Sequence, residues 1–223
     1  MTKIIKYIVS KTVKPLLQKY LSVESTYTYN GIKLLVSPQV FHPGFFFSTK
    51  LLLKYILQLS LKDKEFLELG AGSGLIAFSA AKEGALVTAT DINSVAIEYL
   101  RKNSRKLNLP IEIILSDLFQ NMEYKKFDII GINPPYYKKQ PVTEAQFAWY
   151  CGENGEYFSK LFEALKTYIH AQTLVLMILS EDCDIAMIEN IAAKYNFSMR
   201  CVFTRKNLIE ANFIYNIQLS TIG

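Results

Sequence analysis

From residue 64 onward, apolar side chains follow two periods in turn. Short continuous apolar runs, typical of buried strands, alternate with segments in which apolar residues recur every three or four positions, as on one face of a helix. The predicted strands are Glu65–Leu69, Leu86–Thr90, Ile111–Leu115, Phe127–Ile132, Thr173–Leu179, Phe197–Phe203 and Phe213–Leu219. The predicted helices are Gly74–Glu83, Ser94–Leu107, Tyr157–His170 and Ile185–Lys194.

This alternation of strands and helices predicts an α/β fold. Strands that are separated by helices pair in parallel, and the helices cover both faces of the resulting sheet. No helical segment separates the last two strands, so we expect them to form an antiparallel hairpin at one edge. The pattern therefore predicts a mostly parallel seven-stranded sheet.

The first quarter of the chain has a different pattern. Residues 4–21 place apolar side chains on one helical face and lysines on the other, and Pro15 predicts that this stretch forms two short helices. Tyr27–Val36 predicts a hairpin, because its central Asn-Gly pair suits a two-residue turn. An apolar helix is predicted at Lys50–Leu59.

Composition and charge divide the chain in the same way. Half of the 223 residues are hydrophobic and 20% are charged, which excludes a disordered protein. Residues 1–60 carry eight lysines and one glutamate, a net charge of +7, whereas residues 61–223 carry a net charge of −2. We therefore predict a basic N-terminal extension over 1–60 and a separate domain over 61–223.

Cysteine and histidine usage limits the chemistry further. The three cysteines are far apart and only two histidines occur, which argues against a disulfide scaffold and against a zinc site. No stretch approaches the roughly 18 apolar residues that a membrane span needs, and lysines interrupt each apolar run near the N-terminus. These features predict a cytoplasmic protein with no metal and no membrane partner.

A glycine-rich loop follows the strand that ends at Leu69. The sequence Glu68-Leu-Gly70-Ala-Gly72-Ser-Gly74 joins this strand to a helix, where the backbone can approach a ligand closely. Asp91 ends the next strand, 19 residues after Gly72, and a carboxylate there can accept hydrogen bonds from ribose hydroxyls. A nucleoside-containing cofactor is implied, either a dinucleotide or another nucleoside; a chance glycine-rich turn is the simpler alternative.

A second motif follows the strand Phe127–Ile132. In Asn133-Pro134-Pro135-Tyr136, the two prolines hold the backbone extended, the Asn133 side chain and the Pro134 carbonyl are acceptors, and Tyr136 offers a flat ring. Two acceptors beside an aromatic wall suit a planar NH2 group, either an amide or the exocyclic amine of a base. A proline-rich turn that merely ends the strand is the alternative.

Together the two motifs resemble those of the class I S-adenosylmethionine-dependent methyltransferases. Their first motif is typically E/D-x-G-x-G-x-G, and it is complete here. The resemblance implies a Rossmann-like fold with S-adenosylmethionine as cofactor. The cofactor-binding residues that it implies are Glu68, Gly70, Ala71, Gly72, Gly74, Asp91, Ile92, Asp117, Leu118 and Asn133. Within this set, Asp91 would bind the ribose and Asp117 would lie near the adenine amino group. Asp117 could instead be a helix N-cap.

The tetrapeptide is similar to the NPPY motif of amino- and amide-N methyltransferases, and the nearest group is the HemK-type glutamine N5-methyltransferases. A segment from Trp149 to Tyr157 resembles their A-L-x-G-x-D-G sequence, although Asn154 replaces the aspartate. The resemblance implies methylation of a protein glutamine, as in release factors, with Asn133, Pro134, Pro135 and Tyr136 as catalytic residues. The motif is shared with enzymes that methylate adenine N6 or guanine N2 in DNA or RNA, and a non-catalytic nucleotide-binding domain is a remote alternative.

Other features leave the acceptor open. The basic N-terminal helices could grip a nucleic-acid or protein substrate, or could be a solvated face over a packed apolar stripe. The lysine pairs Lys125-Lys126 and Lys138-Lys139 are expected near the mouth of the site. Residues 45–49 could close over the site or could fill the core with phenylalanine.

Overall fold

A computed structural model describes residues 23–44, 47–143, 146–206 and 210–220. The two short helices predicted within residues 4–21 lie outside the described residues. The strands are β1 (Ser25–Tyr29), β2 (Ile32–Val36), β3 (Glu65–Leu69), β4 (Leu86–Asp91), β5 (Glu112–Leu115), β6 (Phe127–Ile132), β7 (Ile169–Ser180), β8 (Phe197–Lys206) and β9 (Ala211–Leu219). The helices are α1 (Phe47–Ile56), α2 (Leu75–Lys82), α3 (Ser94–Leu107), α4 (Glu156–Tyr168) and α5 (Ile185–Lys194).

The main sheet has seven strands in the order β5-β4-β3-β6-β7-β9-β8. Strands β3 to β7 pair in parallel, and β9 runs antiparallel to both β7 and β8. The predicted α/β fold and its antiparallel hairpin are therefore confirmed. β9 enters between β7 and β8, so the strand that comes earlier in the sequence forms the edge.

Several element boundaries differ from the prediction by one to four residues, and two of these differences have a clear cause. Helix α1 ends at Ile56 instead of Leu59, because the amides of Gln58 and Leu59 bond only three residues back, to Tyr55 O and Ile56 O. Strand β7 begins at Ile169, where a helix was predicted to continue. Ile169 pairs there with Phe127 before the register of β7 shifts, so tertiary pairing overrides the helical pattern.

Hydrophobic clusters cover both faces of the sheet. One cluster contains buried residues of α1, α2, α3 and the β1–β2 hairpin, and the other contains those of α4 and α5. The hairpin turns at Asn30-Gly31, both with positive φ, as the Asn-Gly signal predicted. Ile32, Leu34 and Val36 point from β2 into the first cluster, so the described part of residues 1–60 shares a core with the sheet.

Asn103 fixes the hairpin to α3. Its buried side chain accepts from Leu35 N at 2.8 Å and donates to Leu35 O at 2.9 Å, which satisfies both backbone groups. The loop that follows β2 passes close to the glycine-rich loop, where a Cβ atom on Gly72 would lie 3.7 Å from Val40 Cγ1. None of the helices in the described part of the chain is long and apolar enough to cross a bilayer.

Candidate active site

Strand register brings the two motifs together. Leu69 of β3 pairs with Thr90 of β4 on one side and with Ile132 of β6 on the other. The residues that follow these three are Gly70, Asp91 and Asn133, and parallel strands end at the same edge of the sheet. Ligands of open α/β sheets bind at this edge, beyond the carboxyl ends of the strands.

A cavity lies at this edge, and twelve of the predicted site residues line it. They are Glu68, Gly70, Ala71, Gly72, Asp91, Ile92, Asp117, Leu118, Asn133, Pro134, Pro135 and Tyr136. Gly74 does not line the cavity. The structure thus brings together all of the predicted residues except one.

The glycines of the loop play different parts. All three have positive φ, a conformation that favours glycine. A Cβ atom on Gly70 would meet nothing within 4 Å, so this residue leaves open space in the cavity wall. A Cβ atom on Gly74 would overlap Leu100 and lie 2.8 Å from Phe78 Cε2, so Gly74 serves the packing of α2 and α3.

The Glu68 side chain stabilises the first turn of the helix that follows the glycine-rich loop. Gly74 is the N-cap of α2 and has no side chain to accept a hydrogen bond, but Glu68 Oε2 accepts from Ala77 N at 2.7 Å. The carboxyl group is buried, and burial raises its pKa to about 8 although the Ala77 N–H opposes the shift. Glu68 therefore caps the helix that carries the loop.

The raised pKa of Glu68 predicts a pH-dependent stability. The folded state holds the Glu68 proton up to about pH 8 whereas the unfolded chain loses it near 4.5, so the free energy of unfolding should fall as pH rises between these values. Glu68→Gln keeps an acceptor for Ala77 and cannot ionise. We expect the substitution to raise the free energy of unfolding, relative to wild type, by on the order of 3 kcal/mol more at pH 9 than at pH 4.5.

Urea unfolding of wild type and Glu68→Gln at pH 4.5, 7 and 9 measures this difference. Glu98→Gln is the control, because Glu98 is exposed on α3 and pairs with Lys102. Equal pH slopes for wild type and Glu68→Gln would contradict the assignment.

Asp91 ties the glycine-rich loop to the next strand. Its Oδ2 accepts from Gly72 N at 2.7 Å and its Oδ1 accepts from Asn93 N at 2.8 Å. Burial raises the pKa of Asp91, and the N–H groups of Asn93 and Gly72 oppose this shift. Each carboxylate oxygen retains acceptor capacity, so the side chain can still bind hydroxyl groups in the cavity.

Asp117 lies on a different wall, beyond β5. Its carboxylate receives a 2.8 Å hydrogen bond from Lys160 Nζ of α4. No helix begins at Asp117 within the described residues, since only turns separate β5 from β6. The N-cap interpretation is therefore wrong. Lys160 was missed from the sequence, because nothing in the pattern of a surface helix indicates which lysine will reach a loop 43 residues away.

The tetrapeptide extends directly from β6. Asn133 Nδ2 donates a 3.1 Å hydrogen bond to Thr49 Oγ1 of α1, and Thr49 also lines the cavity. The Tyr136 ring lies 4.9 Å from the Tyr137 ring, and burial raises the pKa of the Tyr136 hydroxyl, which keeps it neutral. The site thus presents a polar amide and an aromatic face side by side.

Aromatic side chains form the rim of the cavity. The rings of Phe41 and Trp149 lie 5.2 Å apart and link the loop after β2 with the segment before α4. Lys139 Nζ lies over the Tyr150 ring, which also lines the cavity. Sequence motifs pointed to Trp149 but not to Phe41, which belongs to an irregular loop.

The prediction for Lys125-Lys126 is wrong. Lys125 pairs with Glu65, the first residue of β3, and Lys126 donates to Ile169 O, the first residue of β7. Both lysines therefore lie at the amino ends of the strands, opposite the cavity. Their position just before β6 puts them there, since a parallel strand begins at the edge where its neighbours begin.

The fold and the cavity define a Rossmann-like methyltransferase, with a glycine-rich loop after the first strand of the sheet and NPPY after the fourth. The chain belongs to the methyltransferase small domain family, which matches residues 31–150. The HemK-like resemblance is confirmed by relatives with glutamine methyltransferase names, and the protein is a methyltransferase.

Three relatives illustrate this. A protein N5-glutamine methyltransferase of Methanocaldococcus jannaschii is 35% identical over 159 residues, which cover 67% of this chain and 77% of the relative. A release factor glutamine methyltransferase of Koribacter versatilis is 37% identical over 48% of this chain and 40% of its own length. A ribosomal RNA small subunit methyltransferase C of Haemophilus influenzae is 33% identical over 51% and 38%. The matches thus span less than half of these two bacterial relatives.

Solved structures share the fold. An E. cuniculi complex responsible for the methylation of the eRF1 translation termination factor has a TM-score of 0.62 and 20% identity, and covers 82% of this chain and 99% of that chain. A T. thermophilus 16S rRNA N2 methyltransferase, in complex with AdoMet and guanosine, has a TM-score of 0.61 and 20% identity, and covers 86% and 50%. At these identities the similarity establishes the fold.

Proposed function

We propose that this chain transfers the methyl group of S-adenosylmethionine to the side-chain amide of a glutamine in a protein. The observation that carries this proposal is the position of Asn133, which extends from the strand beside Gly70 and faces the same cavity. A cofactor held by the glycine-rich loop would therefore lie next to the group that receives the substrate.

The cavity residues suit S-adenosylmethionine. Asp91 would accept hydrogen bonds from the ribose hydroxyls, and the open space at Gly70 would admit the methionine part. Ile92, Leu118 and Asp117 would enclose the adenine, with Lys160 holding the Asp117 carboxylate in place. The bound cofactor supplies an activated methyl group on a sulfonium, so the protein needs no strong general base.

The chain's own residues would position the acceptor. Asn133 Oδ1 and the Pro134 carbonyl would each accept one N–H bond of the substrate amide, and the Tyr136 ring would pack against its plane. Holding both hydrogens turns the nitrogen lone pair toward the methyl group at roughly 3–3.5 Å. The cofactor would supply the methyl group and keep the electron pair of its carbon–sulfur bond, and the amide nitrogen would release one proton to solvent.

A nucleobase amine is the second candidate acceptor. It is favoured by the ribosomal RNA methyltransferase of H. influenzae, which matches about half of this chain. The protein acceptor is preferred because the M. jannaschii glutamine methyltransferase matches more of both chains. The basic extension of residues 1–60 would contact either kind of substrate, and residues 61–223 would carry the catalysis.

Labelled S-adenosylmethionine distinguishes the two acceptors. The protein is incubated with cell extract, and the labelled product is treated separately with protease, RNase and DNase. We expect protease alone to release the label and a glutamine N5-methyl derivative to appear after hydrolysis. Release by RNase would show the RNA acceptor, and absence of labelling in each fraction would overturn the proposal.

A further inference from the structure

We propose that Thr49 is a positioning residue that holds the Asn133 amide with its oxygen toward the acceptor. The inference rests on the proposed function, in which Asn133 accepts a hydrogen bond from the substrate. It starts from the 3.1 Å bond between Asn133 Nδ2 and Thr49 Oγ1, which joins residues 84 positions apart in the sequence.

The orientation of a carboxamide matters at this place. An asparagine side chain has one oxygen acceptor and an NH2 donor, and these two ends exchange positions when the last torsion turns by half a rotation. With its NH2 end toward the substrate, Asn133 would present donors to a group that itself brings donors. One of these N–H donors would also bind the lone pair of the substrate nitrogen, which must attack the methyl group. Only the oxygen-inward orientation supports transfer.

Thr49 provides the hydrogen-bond partner that favours one orientation of the Asn133 carboxamide over the other. Its side chain is buried on α1, and α1 packs into the same cluster as the strands of the sheet, so the hydroxyl has a fixed place. In the structure the Thr49 hydroxyl oxygen accepts the hydrogen bond from Asn133 Nδ2, so it contacts the NH2 end of the carboxamide. The Asn133 NH2 end is then held by Thr49 and its oxygen is left for the substrate.

Thr49, the last residue of the segment from Phe45 to Thr49, therefore has a specific role. The sequence suggested either a flap over the site or an apolar plug, and Phe45 and Phe46 lie outside the described residues. Thr49 does line the cavity, yet it contributes a hydroxyl group to Asn133. One hydrogen bond changes a population by about fivefold to tenfold, so the expected effect is of that size.

Two variants test the proposal. Thr49→Val keeps the shape of the side chain and removes the hydroxyl, and Thr49→Ser keeps the hydroxyl. With a purified release factor as acceptor, we expect Thr49→Val to lower kcat about fivefold to tenfold, with KM for the acceptor and Kd for S-adenosylmethionine within twofold of wild type. Thr49→Ser should restore kcat to within about twofold. Ser48→Ala is the control, since Ser48 is buried beside Thr49 on α1 and does not line the cavity.

A second readout does not depend on the acceptor. In ¹⁵N-labelled protein, the side-chain NH2 signals of Asn133 should shift in Thr49→Val and stay near their wild-type position in Thr49→Ser and Ser48→Ala. In an Asn133→Asp background, where both side-chain oxygens are acceptors, Thr49→Val should change kcat less than twofold.

The two proposals fail differently. A wild-type enzyme that methylates no protein would overturn the acceptor, whereas the NMR comparison would still decide the orientation. Unchanged Asn133 signals in Thr49→Val, an unchanged kcat, or a Thr49→Ser variant as slow as Thr49→Val would each overturn the role of Thr49.

Discussion

Replacing Asn133 by alanine should lower kcat by about 10²–10³-fold while Kd for S-adenosylmethionine stays within a few-fold of wild type. The side chain is expected to bind the acceptor amide most strongly when its nitrogen becomes pyramidal and partly cationic, so its loss raises the barrier more than it weakens binding. Asn133→Ala also removes the hydrogen bond to Thr49.

Methyl-transfer kinetics and calorimetric titration of the cofactor measure the two effects separately. Asn154→Ala is the control, because Asn154 is exposed in the segment before α4 and does not line the cavity. A variant Asn133→Ala that binds the cofactor normally and retains full transfer would refute the proposed mechanism. Loss of cofactor binding with little change in kcat would assign Asn133 to the cofactor instead.

Substitutions at two glycines of one loop should damage different properties. Gly74→Ala is expected to lower the free energy of unfolding by about 2–4 kcal/mol, because the new Cβ atom would overlap Leu100 and crowd Phe78 in a residue with positive φ. Gly70→Ala meets no neighbouring atom, so its cost in stability is limited to the backbone strain, about 1 kcal/mol. Its methyl group would instead occupy the space that we assign to the cofactor.

Urea unfolding and cofactor titration of both variants check this contrast. We expect Gly70→Ala to weaken binding of S-adenosylmethionine at least tenfold and Gly74→Ala to unfold at much lower urea. Gly84→Ala, at another exposed glycine with positive φ, controls for backbone strain alone. Equal losses of stability at positions 70 and 74 would contradict the packing role of Gly74.

Much of the fold could be predicted because its signals are local. Strands β3 and β6 and helices α3 and α5 have their predicted bounds, since each is marked by its own periodicity and its own turn residues. Errors occur where distant residues decide. The start of β7 depends on pairing with Phe127, and the position of Lys125 and Lys126 depends on which edge of the sheet β6 enters.

The chemistry of the site was also predictable from local sequence, because it depends on two motifs that are each contiguous in the chain. A glycine-rich turn and a rigid Asn-Pro-Pro-Tyr can be recognised without a fold, because backbone freedom and acceptor groups belong to the residues themselves. That both motifs would lie at the same edge of the sheet was also predictable. Each follows a parallel strand, and parallel strands bring their carboxyl ends to one edge. Through the resemblance of these motifs the sequence predicted the methyltransferase class, and it predicted the part of the cavity wall that the motifs form.

The contacts that hold the cavity wall in place depend on tertiary packing. The cap that Glu68 gives to α2, the bond from Thr49 to Asn133, the ion pair of Lys160 with Asp117 and the contact of Phe41 with Trp149 each join different elements. Such contacts depend on how far one helix or loop sits above the sheet, and no local period encodes that distance. Gly74 shows the same limit: its motif suggested a ligand, and only the packing of α2 against α3 reveals its neighbours.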